Sequence, residues 1–253
     1  MITERLKPLY NVKLIETGKQ HFYQIDKDET WLPGVTTVLG AAIPKPALLP
    51  WALNSMEENL KPYIGQPLTK EMLIDSKNIY KKKAQDAADI GTRVHKAIDD
   101  IIKGTTPTEA YGADIEPAIQ GFKDWRDSTG ITIEIGDSKI GSKLFGFGGS
   151  LDLMGFDKNG DAVILDVKTT KRRKDRNHGA YPEAGLQLSA YQCAFRETYG
   201  IDAKSLYVLW INKEQPEFKA VKVANPSASF EGFLSALKLY NLSKFETFDE
   251  NFI

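Results

Sequence analysis

Asp166 and Lys168 stand two residues apart inside an otherwise apolar run, Val163-Ile164-Leu165-Asp166-Val167-Lys168. Such a run reads as a strand buried on both faces, and an i, i+2 spacing sends both charged side chains out of the same face. Burying a carboxylate or an ammonium there is unfavourable by several kcal/mol unless the charge is paired or binds a metal. A second carboxylate, Asp152, lies fourteen residues upstream, near the end of the stretch FGFGGSLDLMGF. Between the two, Asp157-Lys158-Asn159-Gly160-Asp161 reads as a three-residue hairpin loop, with Gly160 in the left-handed position that a bulged turn needs. If Asp157 pairs with Asp161, the register sets Asp152 directly opposite Asp166, with Cβ atoms about 5 Å apart. Two carboxylates that close repel unless a cation lies between them, and a hard divalent ion with oxygen ligands satisfies both. A loop one residue shorter or longer puts them on opposite faces. In the bland alternative they are solvated strand-end acids, with Lys168 as a surface partner.

Periodicity and punctuation give the elements that must hold these groups. Residues 10–26 predict a short hairpin broken near Gly18-Lys19, with Tyr10, Val12 and Leu14 alternating before it and Phe22, Tyr23 and Ile25 after. Pro33, Pro44, Pro46 and Pro50 then bound short helical pieces. Residues 69–103 are helix-rich, and 114–128 predict a further helix stopped by Gly130. From residue 131 the pattern changes to strands: ITIEIGDSKI, FGFGGSLDLMGF and DAVILDVKTT. A helix at about 183–199, strands at 205–212 and 217–223 and a helix at 227–241 complete the order. This predicts the α/β class: a central mixed β-sheet flanked by helices, with an N-terminal helical lobe. The expected division is a hairpin and helical lobe over 1–130 and an α/β core over 131–253, together one domain.

Bulk properties exclude more than they select. With 42% hydrophobic and 26% charged residues the chain is ordinary for a soluble globular protein. A formal net charge of −1 argues against a high-affinity coat on nucleic acid, so any polyanion must be held by a local patch. The single cysteine, Cys193, excludes an internal disulfide framework and a four-cysteine iron–sulfur or zinc site. The opening MITERLKPLYNVKLIE has neither the apolar region of a signal peptide nor the character of a transit peptide, and no apolar run reaches the roughly 20 residues that span a bilayer. A cytoplasmic location, in a bacterium or a phage-infected host cell, with no membrane partner, is the expectation.

Several short patterns now fall in order. Gly-Gly-Ser-Leu-Asp152, Asp166-Val-Lys168-Thr-Thr and Leu-Gln187-Leu-Ser-Ala-Tyr191 follow an upstream Gly91-Thr-Arg-Val-His95. This series resembles the RecB-like exonuclease branch of the PD-(D/E)XK nucleases. The segment LPGVTTVLGAAIP with Trp51 is similar to the N-terminal signature of mitochondrial genome maintenance exonuclease and its phage relatives, and the resemblance spans about Leu32 to Tyr191. It implies a metal-dependent DNA exonuclease acting in recombination, repair or replication, with a structure- or site-specific endonuclease or a non-catalytic DNA-binding module as alternatives. It also implies His95, Asp152, Asp166 and the Val167 carbonyl as metal ligands, with Lys168 orienting water and countering phosphate charge. Gln187 and Tyr191, at i, i+4 on one helix face, would line the site. The family often has a further acid about fifteen residues before Asp152; here Asp137 stands there, with Glu134 nearby. Oxygen ligands favour Mg²⁺, and an imidazole ligand makes Mn²⁺ a good substitute. Phosphodiester hydrolysis needs an activated water and stabilised phosphate charge, both of which divalent ions supply.

The DNA partner finds candidate contacts in Lys171, Arg172, Arg173, Lys174 and Arg176, directly after the Lys168 strand, and in Lys81-Lys82-Lys83. These contacts would be blind to sequence and sensitive to salt. A single-strand-binding or recombination protein is a further possible partner. Trp31 and Trp51 read as core of the lobe, with base stacking as the alternative. His21 and His178 carry no supporting pattern and read as bland.

Overall fold

The computed structural model describes residues 6–18, 20–105, 111–170 and 182–243. Alternating side chains give an N-terminal hairpin, β1 (Val12–Thr17) and β2 (Gln20–Ile25), which β3 (Leu32–Pro33) extends to a three-stranded sheet. The prolines separate α1 (Val35–Ala42) from α2 (Leu48–Leu60), and a 3₁₀ turn at Lys61–Tyr63 follows. α3 (Lys70–Lys103) is one helix of 34 residues. The Thr69 hydroxyl accepts from the Met72 N–H at its start, and Gly104, at φ +64°, ends it.

α3 joins the lobe to the core. Its N-terminal half lies on α2, where Trp51 meets Tyr80 edge-on and the Ser76 hydroxyl bonds the Met56 carbonyl. Its C-terminal half buries Val94, Ala97 and Ile98 beside α4 (Glu116–Thr129). Trp31, read from sequence as lobe core, is instead 49% exposed and leans on Phe22. It directly precedes β3, the edge strand of that sheet, which leaves one side of the ring open.

The remaining elements are β4 (Thr132–Ser142), β5 (Phe147–Phe156), β6 (Ala162–Thr170), α5 (Pro182–Tyr199), β7 (Ser205–Asn212), β8 (Phe218–Lys222) and α6 (Pro226–Leu242). The sheet runs β4-β5-β6-β7-β8, with β6 and β7 parallel and every other pair antiparallel. A parallel pair needs a crossover, and α5 supplies it. α1, α5 and α6 cover one face over Phe147, Ile164, Leu206 and Val208. α3 and α4 cover the other over Leu153, Leu165, Leu209 and Ile211. Val163, Ile164, Leu165 and Val167 are each 0–1% exposed, which is why this strand is apolar on both faces. No helix among the described residues is long and apolar enough to cross a membrane.

Two glycines let aromatic rings lie directly on β5. A Cβ on Gly148 would run into the Tyr23 ring from β2, and one on Gly149 into the Tyr191 ring from α5. Adjacent strand residues face opposite ways, so the two rings clamp the strand from both sides. Gly149→Ala should therefore lower Tm by roughly 2–10 °C through overpacking. Gly40→Ala, with nothing within 4 Å of the new methyl, should hold or raise it; equal melting of the two variants by differential scanning fluorimetry would contradict the clamp.

Candidate active site

The site lies where β5 leaves β6. Asp157 donates its N–H to the Asp161 carbonyl and Gly160, at φ +78°, turns the chain, so the loop has three residues. The Asp157 carboxylate holds this turn by accepting from the Asn159 and Asp161 N–H groups. The resulting register runs Phe156↔Ala162 to Leu153↔Leu165 and stops. Asp152 and Asp166 occupy the next step, which is not paired as a ladder. β6 continues beside β7 as far as Thr170↔Asn212, so its stretch from Asp166 onward is flanked by a strand on one side only.

The pairing of β4 with β5 is interrupted at the same residue. Ladder pairs Gly136↔Leu153 and Ser138↔Leu151 flank Asp152, but the pair between them is not made, and Asp137 sits there at φ +41°. Leu151 and Met154 both face α5 and α6 whereas Leu153 faces α3, so the alternation slips by one residue. The freed Asp152 side chain crosses the gap and accepts the Val167 N–H through Oδ2 at 2.8 Å. A carboxylate thus satisfies a β6 donor that the departing strand leaves open.

Asp166 is 1% exposed. The Lys168 ammonium lies 2.9 Å from its Oδ1 and 2.8 Å from its Oδ2. Gln187 Nε2 donates to Asp166 Oδ1 at 3.0 Å and to the Tyr191 hydroxyl at 3.0 Å. One helix turn separates Gln187 from Tyr191, so α5 places both on the same face of the site. Across the gap, His95 Nδ1 from α3 lies 3.6 Å from Asp152 Oδ1.

Burial dominates the charge balance. It pushes the Asp166 carboxyl up to about 6, against the lowering effect of Lys168 and with a further push from Asp152. Burial would lower Lys168, but Asp166 and then Asp152 outweigh it and hold the ammonium above its ordinary value. Lys168 is therefore charged at neutral pH and is no general base in this state. Tyr191 is raised well above its ordinary value by burial and then by the same two carboxylates, so it remains a neutral phenol.

A cleft of about 660 Å³ opens beside these groups. α3 lines it with His95, Lys96 and Asp99, β5 with Ser150 and Asp152, and β6 with Val167. Asp137 lines it too, with its carboxylate on Lys139, whereas Glu134 lies at the β4 bulge and is not part of the lining. The basic residues Lys171, Arg172, Arg173, Lys174 and Arg176, and also His178, lie outside the described residues. Lys83 pairs with Glu58 at 2.9 Å.

Sequence reasoning missed His21, Ser150, Asp99 and Glu183. His21 and Ser150 line the cleft, and Glu183 in the first turn of α5 is among the charges that raise Lys168. Asp99 carried a readable signal, since i+4 from His95 puts it on the same helix face. It lines the cleft, with Oδ2 on Lys103 and a buried Oδ1 without a hydrogen-bond partner.

The donor set suits a hard divalent ion. Asp166 Oδ2 is buried and receives no well-directed hydrogen bond, only the ionic contact with Lys168. Asp152 Oδ1 faces His95 beyond hydrogen-bond reach. Two carboxylates with an imidazole are ligands that Mg²⁺ and Mn²⁺ accept. Among the described residues no three His, Cys, Asp or Glu side chains already form such a group.

A mixed five-stranded sheet forked at two acids and covered by helices on both faces is the architecture of restriction-endonuclease-like enzymes. A family model of the PD-(D/E)XK nuclease superfamily matches residues 115–251, more than half of the chain. The chain belongs to this superfamily of nucleases, hydrolases that generally use divalent metal ions such as Mg²⁺. Similar solved structures include that of SSO0001, with 10% identity and TM-score 0.38 over 78% of this chain and 87% of that one. Another is a protein from Eubacterium rectale named "Putative exonuclease", with 12% identity and TM-score 0.43 over 76% of this chain and 78% of that one. No curated protein matches the sequence.

The buried acid has a measurable consequence. Raising a carboxyl from 3.8 to about 6 disfavours the folded, metal-free protein at neutral pH by on the order of 3 kcal/mol. The folded state holds the proton more tightly, so this contribution favours folding below about pH 4 and is lost as pH rises through about 6. In EDTA, Asp166→Asn should melt above the parent at pH 7.5, with the gap closing toward pH 4. A variant that melts lower at pH 7.5 would contradict the charge burial.

Proposed function

We propose that this chain is a metal-dependent DNA exonuclease, hydrolysing phosphodiester bonds at DNA ends in recombination, repair or replication. The observation that carries the reading is the fork itself, with Asp152, Asp166 and Lys168 brought together beside an open cleft that His95 enters from α3. The order of the motifs, which resembles RecB-like exonucleases, supports action at ends. The Gly91-to-His95 helix and the LPGVTTVLG segment lie outside the matched region 115–251 and add to that support independently.

In this reading His95, Asp152, Asp166 and the Val167 carbonyl hold Mg²⁺ or Mn²⁺, with Asp137 as the candidate additional acid. The ion supplies an activated water and neutralises charge on the phosphate. Lys168, kept charged by two carboxylates, donates to a non-bridging phosphate oxygen or to the attacking water. Gln187 donates to Asp166 Oδ1 and is itself tied to Tyr191, so the amide tethers one carboxylate oxygen while Oδ2 is left for the ion. Lys171, Arg172, Arg173, Lys174 and Arg176 follow β6 directly in sequence, where they would contact the strand backbone.

End-labelled single- and double-stranded oligonucleotides with Mg²⁺, Mn²⁺ or EDTA test this. Cleavage from ends is expected with either ion and none with EDTA. Lys168→Ala should lose about 10²–10³-fold in rate and Asp166→Ala at least as much, both with retained DNA binding. Unchanged cleavage in either variant would refute the site, and cutting of a closed circular substrate would favour an endonuclease of the same fold.

A further inference from the structure

His21 stands in the cleft because of the way the N-terminal hairpin crosses β5. Residues 21, 23 and 25 share one face of β2. Ile25 and Tyr23 are each 3% exposed: Ile25 packs on Gly141 and Tyr23 on Gly148, and the Tyr23 hydroxyl hydrogen-bonds Ser150 Oγ at 3.0 Å. Gly34 adds a backbone bridge to Gly148. The third residue of that face, one step further along, has no strand to cover and lines the cleft with Ser150 and Asp152. Its backbone is fixed on both sides. The His21 carbonyl accepts from Gly34 N–H at 2.9 Å and from the Thr37 hydroxyl at 3.3 Å, and its N–H donates to Thr37 Oγ1 at 3.4 Å.

Among the described residues the imidazole has no hydrogen-bond partner within reach. Its ionic neighbour is Glu16, its cross-strand partner, with 3.6 Å between His21 Nε2 and Glu16 Oε1, beyond hydrogen-bond distance. The charged side chains that α3 sends to the same cleft are engaged on their own helix, Lys96 with Asp100 and Asp99 with Lys103. A donor on a fixed backbone, lining the same cleft as Asp152 from a second wall, is placed to meet a strand lying between the walls.

We propose that His21 is a substrate-contacting residue, whose ring N–H donates to a non-bridging oxygen of a phosphate beside the scissile one. The inference rests on the nuclease reading and deepens it: the hairpin becomes the wall that fixes the strand backbone against Asp152. Such a contact is the same for every sequence and is made before and during reaction, so it should act on binding.

The test uses the full chain with His21→Ala and His21→Gln, the latter carrying an amide N–H that can replace the ring donor. His21→Ala should raise KM for a single-stranded oligonucleotide about tenfold with kcat within about twofold, and His21→Gln should recover most of the loss. In EDTA, where nothing is cut, oligonucleotide affinity measured by fluorescence anisotropy should fall by a similar factor. Thermal stabilisation by Mn²⁺ should be unchanged. Parental KM and affinity in His21→Ala would overturn the proposal, as would loss of the Mn²⁺ effect, which would make the ring a metal ligand. Failure of the parent enzyme to cut any end would instead overturn the exonuclease reading, while the affinity measurement in EDTA still decides the role of His21.

Discussion

A carboxylate with almost no exposure, Asp166, is kept at the point where two strands part, and the local structure is arranged around it. Placed in a fully paired strand, such a charge would be strongly unfavourable. The fork relieves this by opening space on one side of β6. There Lys168 and Gln187 supply the opposite charge and the hydrogen bond that the departing strand cannot. Burial still raises the Asp166 carboxyl well above the ordinary carboxylate range, and groups perturbed in this way concentrate at functional sites.

The fork gathers groups from distant parts of the chain. β5 brings Asp152, β6 brings Asp166 and Lys168, α5 brings Gln187 and Tyr191, α3 brings His95, and β2 brings His21. Each is carried on regular structure, not on a long loop, and so inherits the rigidity of the core. The glycine pair Gly148-Gly149 is central to this gathering. It lets Tyr23 and Tyr191 lie directly on β5, so that hairpin and crossover helix both pack against the strand. Lys168 keeps its proton against burial because Asp166 and Asp152 lie beside it.

Local features were legible in the sequence. The apolar run with two charges gave β6, and Gly160 with two flanking acids gave the loop length and the register as far as Leu153↔Leu165, one step short of the expected pairing of Asp152 with Asp166. The i, i+4 pair Gln187 and Tyr191 gave one face of α5. Long-range geometry was not legible. Nothing in the local pattern says that the ladder ends at Leu153↔Leu165, because strand separation depends on twist and on what packs above it. His21 looked bland for the same reason: its place in the cleft follows from the hairpin lying across Gly148, a contact between segments 125 or more residues apart in the chain. Asp137 was readable as a spacing but not as a left-handed residue at a break in pairing.

The proposed chemistry depends on a divalent ion seated between Asp152 and Asp166. Crystals soaked in Mn²⁺ and measured at the manganese absorption edge address this directly. The expected result is an anomalous peak within about 2.5 Å of oxygens from both carboxylates, with Asp166 turned from Lys168 toward the ion. Crystals with no peak at the fork, and with Asp166 still bound to Lys168 at saturating Mn²⁺, would contradict it.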